Sequence, residues 1–239
     1  MSEKTEIKYS AELLDTVSKL TGINKSVIFE KNEDEVNLKI LNSDADTSVA
    51  YVLEAPIEYF EFEGDEVCLY NYQEFYSLLT FFEDPTISQD DYDLTIIQDK
   101  SKIDFRLTEK TQINTGRSFR EVKFGEADVE FTMDDKFVSK IKKLCAGDKI
   151  NATFITFKAN GDGTLTYRLK NETLPNAFEE TLDVTDNLEE DFDITIKSES
   201  FNKLPIATYT VGLKEAGLIE FKQVREDEIN LKLYLADTE

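Results

Sequence analysis

The chain reads as an α+β protein of two tandem domains, each made of antiparallel sheets plus two helices. Two observations predict this. A short strand, a capping residue, an amphipathic helix and a glycine recur at an offset of roughly 120 residues. Most of what lies between follows a period-two alternation of apolar and polar residues.

The first half opens with the alternating Glu6-Ile7-Lys8-Tyr9. A helix is expected from Ser10 to Thr21, with Leu13, Leu14, Val17 and Leu20 on one face. Ser10 serves as its N-cap and Gly22 as its stop. Strands are expected at Val27–Phe29, Val36–Leu41, Ser48–Leu53 and Ile57–Leu69. A second helix runs over Tyr72–Glu83 and ends before Pro85. Strands at Leu94–Ile97 and Ile103–Leu107 close the half.

The second half repeats the opening with Val129-Glu130-Phe131-Thr132 and a helix over Asp134–Ala146, stopped by Gly147. Strands follow at Ile150–Phe157, Leu165–Leu169 and Phe192–Ile196. Asn160-Gly161-Asp162-Gly163 reads as a hairpin turn. A short helix at Glu199–Leu204 is checked by Pro205. The last strands are Ala207–Leu213, Leu218–Val224 and Ile229–Leu235. The polar stretch from Thr108 to Glu126, holding Gly116 and Gly125, reads as a connector. The domains are accordingly 1–112 and 127–239, with 113–126 between them.

Composition narrows the function. Of 239 residues, 40% are hydrophobic and 11% aromatic, enough for a sizeable core despite the high charge. No apolar run is long enough for a membrane helix, and the N-terminus lacks the apolar stretch of a signal peptide. Cys68 and Cys145 sit inside apolar patterns and read as buried free thiols of a reducing cytoplasm. The chain has no histidine, which removes His-based triads and His-bearing metal sites. No Gly-rich phosphate loop is present. The acidic segment Asp183–Asp193 lacks the ligand spacing and central glycine of an EF-hand loop. Neither a metal nor a cofactor is expected, and no catalytic residue stands out.

The charge balance is more telling. Fifty Asp and Glu against 27 Lys and Arg give a net charge of −23. Yet Lys136, Lys140, Lys142 and Lys143 follow one another without an intervening acid. At about 100° per residue, Lys136, Lys140 and Lys143 fall in one wedge, opposite Phe137, Val138, Ile141, Leu144 and Cys145. A polyanion is repelled by nearly all of this protein and attracted to that stripe. On the helix from Tyr72, the outer face of Gln73, Ser77 and Thr80 is uncharged. Acids there would oppose a phosphate surface. The first helix differs, since Glu12, Asp15 and Lys19 share its outer side.

These residues resemble a sliding clamp, the processivity ring of DNA polymerases, and most of all the type found in T-even-like phages. The resemblance spans nearly the whole chain. It is carried by Leu69–Leu79, by Ile87-Ser88-Gln89 with Asp93–Ile97, and by Gly217–Phe221 with Asn230–Ala236. The last pair is also similar to the final strands of proliferating cell nuclear antigen. The resemblance implies the DNA clamp fold and a closed ring of six similar domains, which a two-domain chain completes as a homotrimer with strands pairing across subunit boundaries. It implies a non-catalytic role in the cytoplasm, the host's if the protein is viral. The partners would be double-stranded DNA held topologically and without sequence preference, a DNA polymerase, and an ATP-dependent clamp loader. The DNA-facing residues would be Lys136, Lys140, Lys142, Lys143, Lys19, Gln73, Ser77, Thr80 and Lys203. A partner-peptide pocket would involve Ile113, Leu218, Tyr234 and Leu235. Two other readings stay open from the residues: an acidic DNA mimic or other non-catalytic interaction protein, and a β-rich hydrolase using paired carboxylates.

Overall fold

The same order of elements occurs twice in the computed structural model, strand, helix, four strands, helix, three strands. The structure describes residues 5–32, 36–44, 48–113, 123–147, 150–184 and 191–238. The first set is β1 (Thr5–Ile7), α1 (Ala11–Lys19), β2 (Val27–Lys31), β3 (Asn37–Ser43), β4 (Val49–Pro56), β5 (Glu66–Leu69), α2 (Tyr72–Phe81), β6 (Thr86–Gln89), β7 (Asp93–Gln98) and β8 (Ser101–Arg106). The second is β9 (Val129–Met133), α3 (Asp135–Ala146), β10 (Phe154–Asn160), β11 (Thr164–Lys170), β12 (Ala177–Asp183), β13 (Phe192–Lys197), α4 (Ser198–Asn202), β14 (Tyr209–Lys214), β15 (Leu218–Gln223) and β16 (Asn230–Ala236).

The chain divides into two compact units. One is built mainly from the first half together with Asp227–Leu231, the other mainly from the second half with Ser48–Ala50. In the first unit strands run β1-β6-β7-β8 and β5-β2-β3-β4. In the second they run β9-β14-β15-β16 and β13-β10-β11-β12. The two orders are the same once the numbering is advanced by eight. The repetition expected from the sequence is therefore one of topology as well as of pattern.

Caps fix the helices. The Ser10 hydroxyl accepts from Leu13 N at 3.3 Å, Asn71 Oδ1 from Glu74 N at 3.4 Å, and Asp134 Oδ1 from Phe137 N at 2.7 Å. Each satisfies a backbone donor that the first helical turn leaves free. α1 buries Leu13, Leu14 and Val17, and α2 buries Tyr72, Phe75 and Leu79. In the first unit Phe29 lies 4.6 Å from Phe60 and 6.1 Å from Tyr72, centroid to centroid. In the second, α3 buries Val138, Ile141 and Cys145, and Phe221 meets Phe201 and Tyr209 edge-on.

Three expectations change. Ile57–Leu69 is not one strand. A 3-10 turn spans Ile57–Tyr59 after Pro56, Gly64 takes φ +80°, and only Glu66–Leu69 pairs. β10 begins at Phe154 rather than Ile150, because Asn151 sits at φ +44°, outside the strand region. The strand β12 escaped the sequence reading. It lies at a sheet edge, and its helix-facing side carries Glu180 between Phe178 and Leu182. The turn at Asn160–Gly163 is a hairpin as expected, with Gly163 at φ +82°. Most of the connector, 114–122, and most of the acidic stretch, 185–190, lie outside the described residues.

Cys68 and Cys145 are buried and free. Burial pushes their thiols up to about 12 and about 11. A raised value means less thiolate at a given pH, and the thiolate is the nucleophile. At about pH 8 the native thiols should react with Ellman's reagent more slowly than an ordinary cysteine, about a hundredfold for Cys145 and about a thousandfold for Cys68. Both should react at the ordinary rate in denaturant. Rapid labelling of the native protein would contradict the burial.

Candidate nucleic-acid interface

The lysine helix α3 lies against the sheet β12-β11-β10-β13. Phe137 meets Tyr167 edge-on, with ring centroids 5.0 Å apart. Beside that contact the Lys140 ammonium bonds Glu180 on β12 and lies 5.1 Å from the centre of the Phe178 ring. The Tyr167 hydroxyl donates to the same Glu180. Lys140, then Tyr167, hold the Glu180 carboxyl below its usual range, whereas burial and then Glu180 push the Tyr167 hydroxyl up. Lys140 is therefore not a free member of the basic face. It neutralises an acid that points toward its own helix.

Lys142 is not a surface charge either. Its ammonium reaches the carbonyl oxygens of Asn202, at 2.8 Å, and Leu204, at the C-terminal end of α4. Burial holds its pKa below the ordinary lysine value. Cations suit helix C-termini, where carbonyls point outward without partners. Lys142 thus ties α3 to α4. Lys203 caps the same end of α4 and is half-buried.

Lys136 and Lys143 remain. Both are exposed, and neither has an acidic partner within 4 Å among the described residues. They stand seven positions apart, so they share a helix face about 10 Å apart along the axis. The stripe read from the sequence keeps these two cations as its accessible charge.

In the first unit the neutral face of α2 is as expected. Gln73, Ser77 and Thr80 are exposed. The Ser77 hydroxyl donates to Gln73 O at 2.7 Å and Thr80 to Tyr76 O at 2.9 Å, while Gln73 accepts from Thr21 at 3.2 Å. On α1, Lys19 is 2.6 Å from Asp15, one turn earlier. Its charge is locally compensated.

Of the four residues expected to form a peptide pocket, Ile113 belongs to the first unit, and the three in the second do not all share one sheet face. Ile113 is buried in the first unit with Ile28 and Cys68. Leu235 is fully buried and stands opposite Ile219 on the core face of its sheet. Tyr234 precedes it and so points to the other face. Leu218 shares that other face, since Leu218 opposes Ala236 and Glu220 opposes Tyr234. There Phe124 lies 6.3 Å from Tyr234 and covers Gly212 so closely that a Cβ would come within 2.9 Å of the ring. A groove of about 380 Å³ runs beside it, past Glu130, Thr210, Glu220 and Lys222. Alternation along β9, β14 and β15 could have located this groove, because it sets these residues on one face.

Sequence reasoning also missed a second gathering of cations. Lys158, Arg168 and Lys170 line a basin of about 730 Å³ on the outer face of β10–β11, interleaved with Glu172, Glu179 and Asp193. The described residues hold no cluster of ligating side chains suited to a metal ion.

No family model and no curated protein sequence matches the chain. Solved structures do. The chain superposes on a Helicobacter pylori beta clamp with a TM-score of 0.73 at 10% identity, over 100% of this chain and 68% of that one. The fold is the DNA clamp fold. Archaeoglobus fulgidus PCNA, solved with the C-terminal region of FEN-1, matches at 0.71 and 14% identity over 99% of both chains. Entamoeba histolytica PCNA matches at 0.71 and 16% identity, over 99% of this chain and 98% of that one.

Two substitutions separate supporting from accessible lysines in the clamp fold. Lys140→Ala should cost about 0.5–1 kcal/mol, discounted because the pair is partly exposed. Lys136→Ala should stay within about 0.5 kcal/mol of the parent. The lowered Glu180 value makes the Lys140 contribution present above the ordinary carboxylate range and lost as pH falls through the lowered value. Denaturant midpoints at about pH 7 should therefore differ between the parent and Lys140→Ala, and converge as the pH falls below the ordinary carboxylate range.

Proposed function

We propose that this chain is a sliding clamp that encircles duplex DNA, tethers a replicative polymerase and is placed on DNA by an ATP-dependent loader. The observation that carries the reading is the clamp fold over the full chain combined with one accessible basic helix face on a body of net charge −23. A topologically held ring needs only a weak, sequence-independent attraction to phosphate, and Lys136 and Lys143 supply it. The acidic remainder keeps DNA off the other surfaces. Gln73, Ser77 and Thr80 offer neutral hydrogen-bonding groups without repelling phosphate. Lys140, Lys142, Lys19 and Lys203 act as supports of that surface. A DNA mimic has no use for a basic helix face, and nothing in the carboxylate arrangement favours a hydrolase. The role is that of a non-catalytic scaffold in the cytoplasm.

The two-domain length favours three copies per ring, with domains 1–112 and 127–239 joined through 113–126. Closed symmetry turns one pair of complementary surfaces into a ring. One chain of the Sulfolobus tokodaii PCNA2–PCNA3 complex matches this chain at a TM-score of 0.66 and 14% identity. The resemblance of the sequence to T-even-like phage clamps belongs to the same reading. For partner peptides the reading moves to the outer face of β14–β16, where Leu218 and Tyr234 flank the groove beside Phe124. The fold accommodates such a ligand in the A. fulgidus protein bound by the FEN-1 C-terminal region.

Native mass by light scattering should be three times 27.4 kDa at tens of micromolar. A strict monomer would sink the ring. Lys136→Glu with Lys143→Glu should leave the mass and melting temperature unchanged. It should shorten the products of primer extension with polymerase, loader and ATP, more so at low than at moderate salt. Parental product lengths at both salts would show that this helix does not face DNA.

A further inference from the structure

Between β5 and α2 the chain turns through Tyr70 and Asn71. Tyr70 is 65% exposed, which leaves most of an aromatic side chain in water. It stands at a hollow of about 540 Å³ in the first unit, whose lining it shares with Ile23, Lys25, Asn71 and Gln112. No carboxylate lines this hollow. The chain carries 50 Asp and Glu, and the basin on β10–β11 and the groove beside Phe124 are both lined by acids. Lys25 is exposed, and its ammonium has no acidic partner within 4 Å among the described residues. The hollow is thus a locally positive spot on an acidic body.

The exposed ring rests on a fixed backbone. The Ser26 hydroxyl donates to Tyr70 O at 2.8 Å. Ser26 is held in turn, its N–H donating to Asn24 Oδ1 at 3.0 Å and its carbonyl accepting from Asn42 Nδ2 at 2.6 Å. Asn24 donates to Asn42 Oδ1 at 3.0 Å and closes the network. Ser26 and Asn42 are buried. A satisfied buried network is rigid, so the platform is set before a ligand arrives. Lys25 O accepts from Tyr72 N at 2.8 Å, which anchors the cation beside the same turn. Gln112 Oε1 accepts from Thr108 Oγ1 at 2.9 Å, and the Gln112 amide N–H groups have no acceptor among the described residues.

An aromatic face, an ammonium group and free amide donors together suit a nucleotide. A base stacks on an aromatic ring whatever its identity, a phosphate pairs with a lysine, and base carbonyls accept from amides. Paired bases in a duplex are covered on both faces by their neighbours, so the base that stacks here must be unpaired. The hollow also adjoins the neutral face of α2, because Thr21 Oγ1 donates at 3.2 Å to Gln73 in the first turn of that helix. One carboxylate stands nearby, that of Glu74, and the Asn71 amide donates to it at 3.2 Å.

We infer that this hollow holds one unpaired nucleotide of a DNA strand, with its base stacked on Tyr70 and accepting from Gln112 and its phosphate on Lys25. The inference rests on the reading of the α2 face as DNA-facing. It gives the first unit a way to tell single-stranded from duplex DNA, which topological enclosure alone does not provide.

Linear oligonucleotides test the site without ring closure or a loader. In fluorescence anisotropy at low salt, Tyr70→Ala should weaken binding of a short labelled oligothymidylate about tenfold, whereas Tyr70→Phe, which keeps the ring, should bind like the parent. Lys25→Ala should weaken it about threefold and reduce its salt dependence. Tyr70 is a surface residue, so Tyr70→Ala should keep the parental melting temperature. Its affinity for a blunt duplex of the same length should also be unchanged. Equal oligothymidylate affinity in the parent and Tyr70→Ala would overturn the site, and so would an equal loss for the duplex. An oligothymidylate carrying iodouracil should photocross-link to Tyr70. Attachment to Tyr92, which is 62% exposed, in place of Tyr70 would overturn the assignment. If Tyr70→Ala instead lowers affinity for the polymerase without DNA and leaves oligothymidylate binding intact, the occupant is a protein segment and the inference fails. Tyr70-dependent binding by a protein that is monomeric in light scattering would keep the site and remove the ring. A trimer without such binding would remove the site and keep the ring.

Discussion

In each unit one long polar side chain ties its two helices together, and the orientation of both helices depends on that tie. In the first, the buried hydroxyl of Tyr72 on α2 donates to Leu14 O of α1 at 2.9 Å. In the second, Lys142 of α3 reaches the terminal carbonyls of α4. A hydrogen bond of this kind contributes about 1 kcal/mol net. One long polar side chain per unit locks the second helix to the first. The lock also sets the rotation of the helices. With Tyr72 turned inward, Gln73, Ser77 and Thr80 face out. With Lys142 turned toward α4, Lys136 and Lys143 face out.

The helices were legible because caps and a 3.6-residue period are local signals. Ser10 announces its helix whatever surrounds it. The strands were less so where a neighbour decides. Pro56 and the positive φ at Gly64 break the stretch from Ile57 to Leu69, whose alternation alone reads as one strand. β12 offers only Phe178 and Leu182 as apolar signals, and its inward Glu180 makes sense only once Lys140 and Tyr167 stand beside it. The candidate site divides along the same line. Angular position on a helix found Lys136 and Lys143. It could not show that Lys140 meets β12 or that Lys142 meets α4, since those partners lie 40 or more residues away in sequence. For the peptide groove the missing step was parity. Tyr234 and Leu235 are adjacent in a strand and cannot line one surface.

The charge distribution follows a single economy. Where a cation is needed to hold the fold it is spent against a specific acceptor, as Lys110 is on Glu30 and Glu66 and Lys142 is on α4. What remains exposed and uncompensated is small against a net charge of −23. In the proposed ring a duplex would feel a shallow attraction and little friction, because few phosphates would be engaged at once and none would be read by its base.

Phe124 rests on Gly212 with no room for even one methyl group between them. Substitution at Gly212 would lever the aromatic ring off β14 and disturb the chain on either side of it. Among natural homologues, glycine should therefore persist there as long as an aromatic persists at 124, and the two positions should drift together or not at all. Invariance of that glycine would then record a constraint of volume, and would say nothing about which protein occupies the groove alongside.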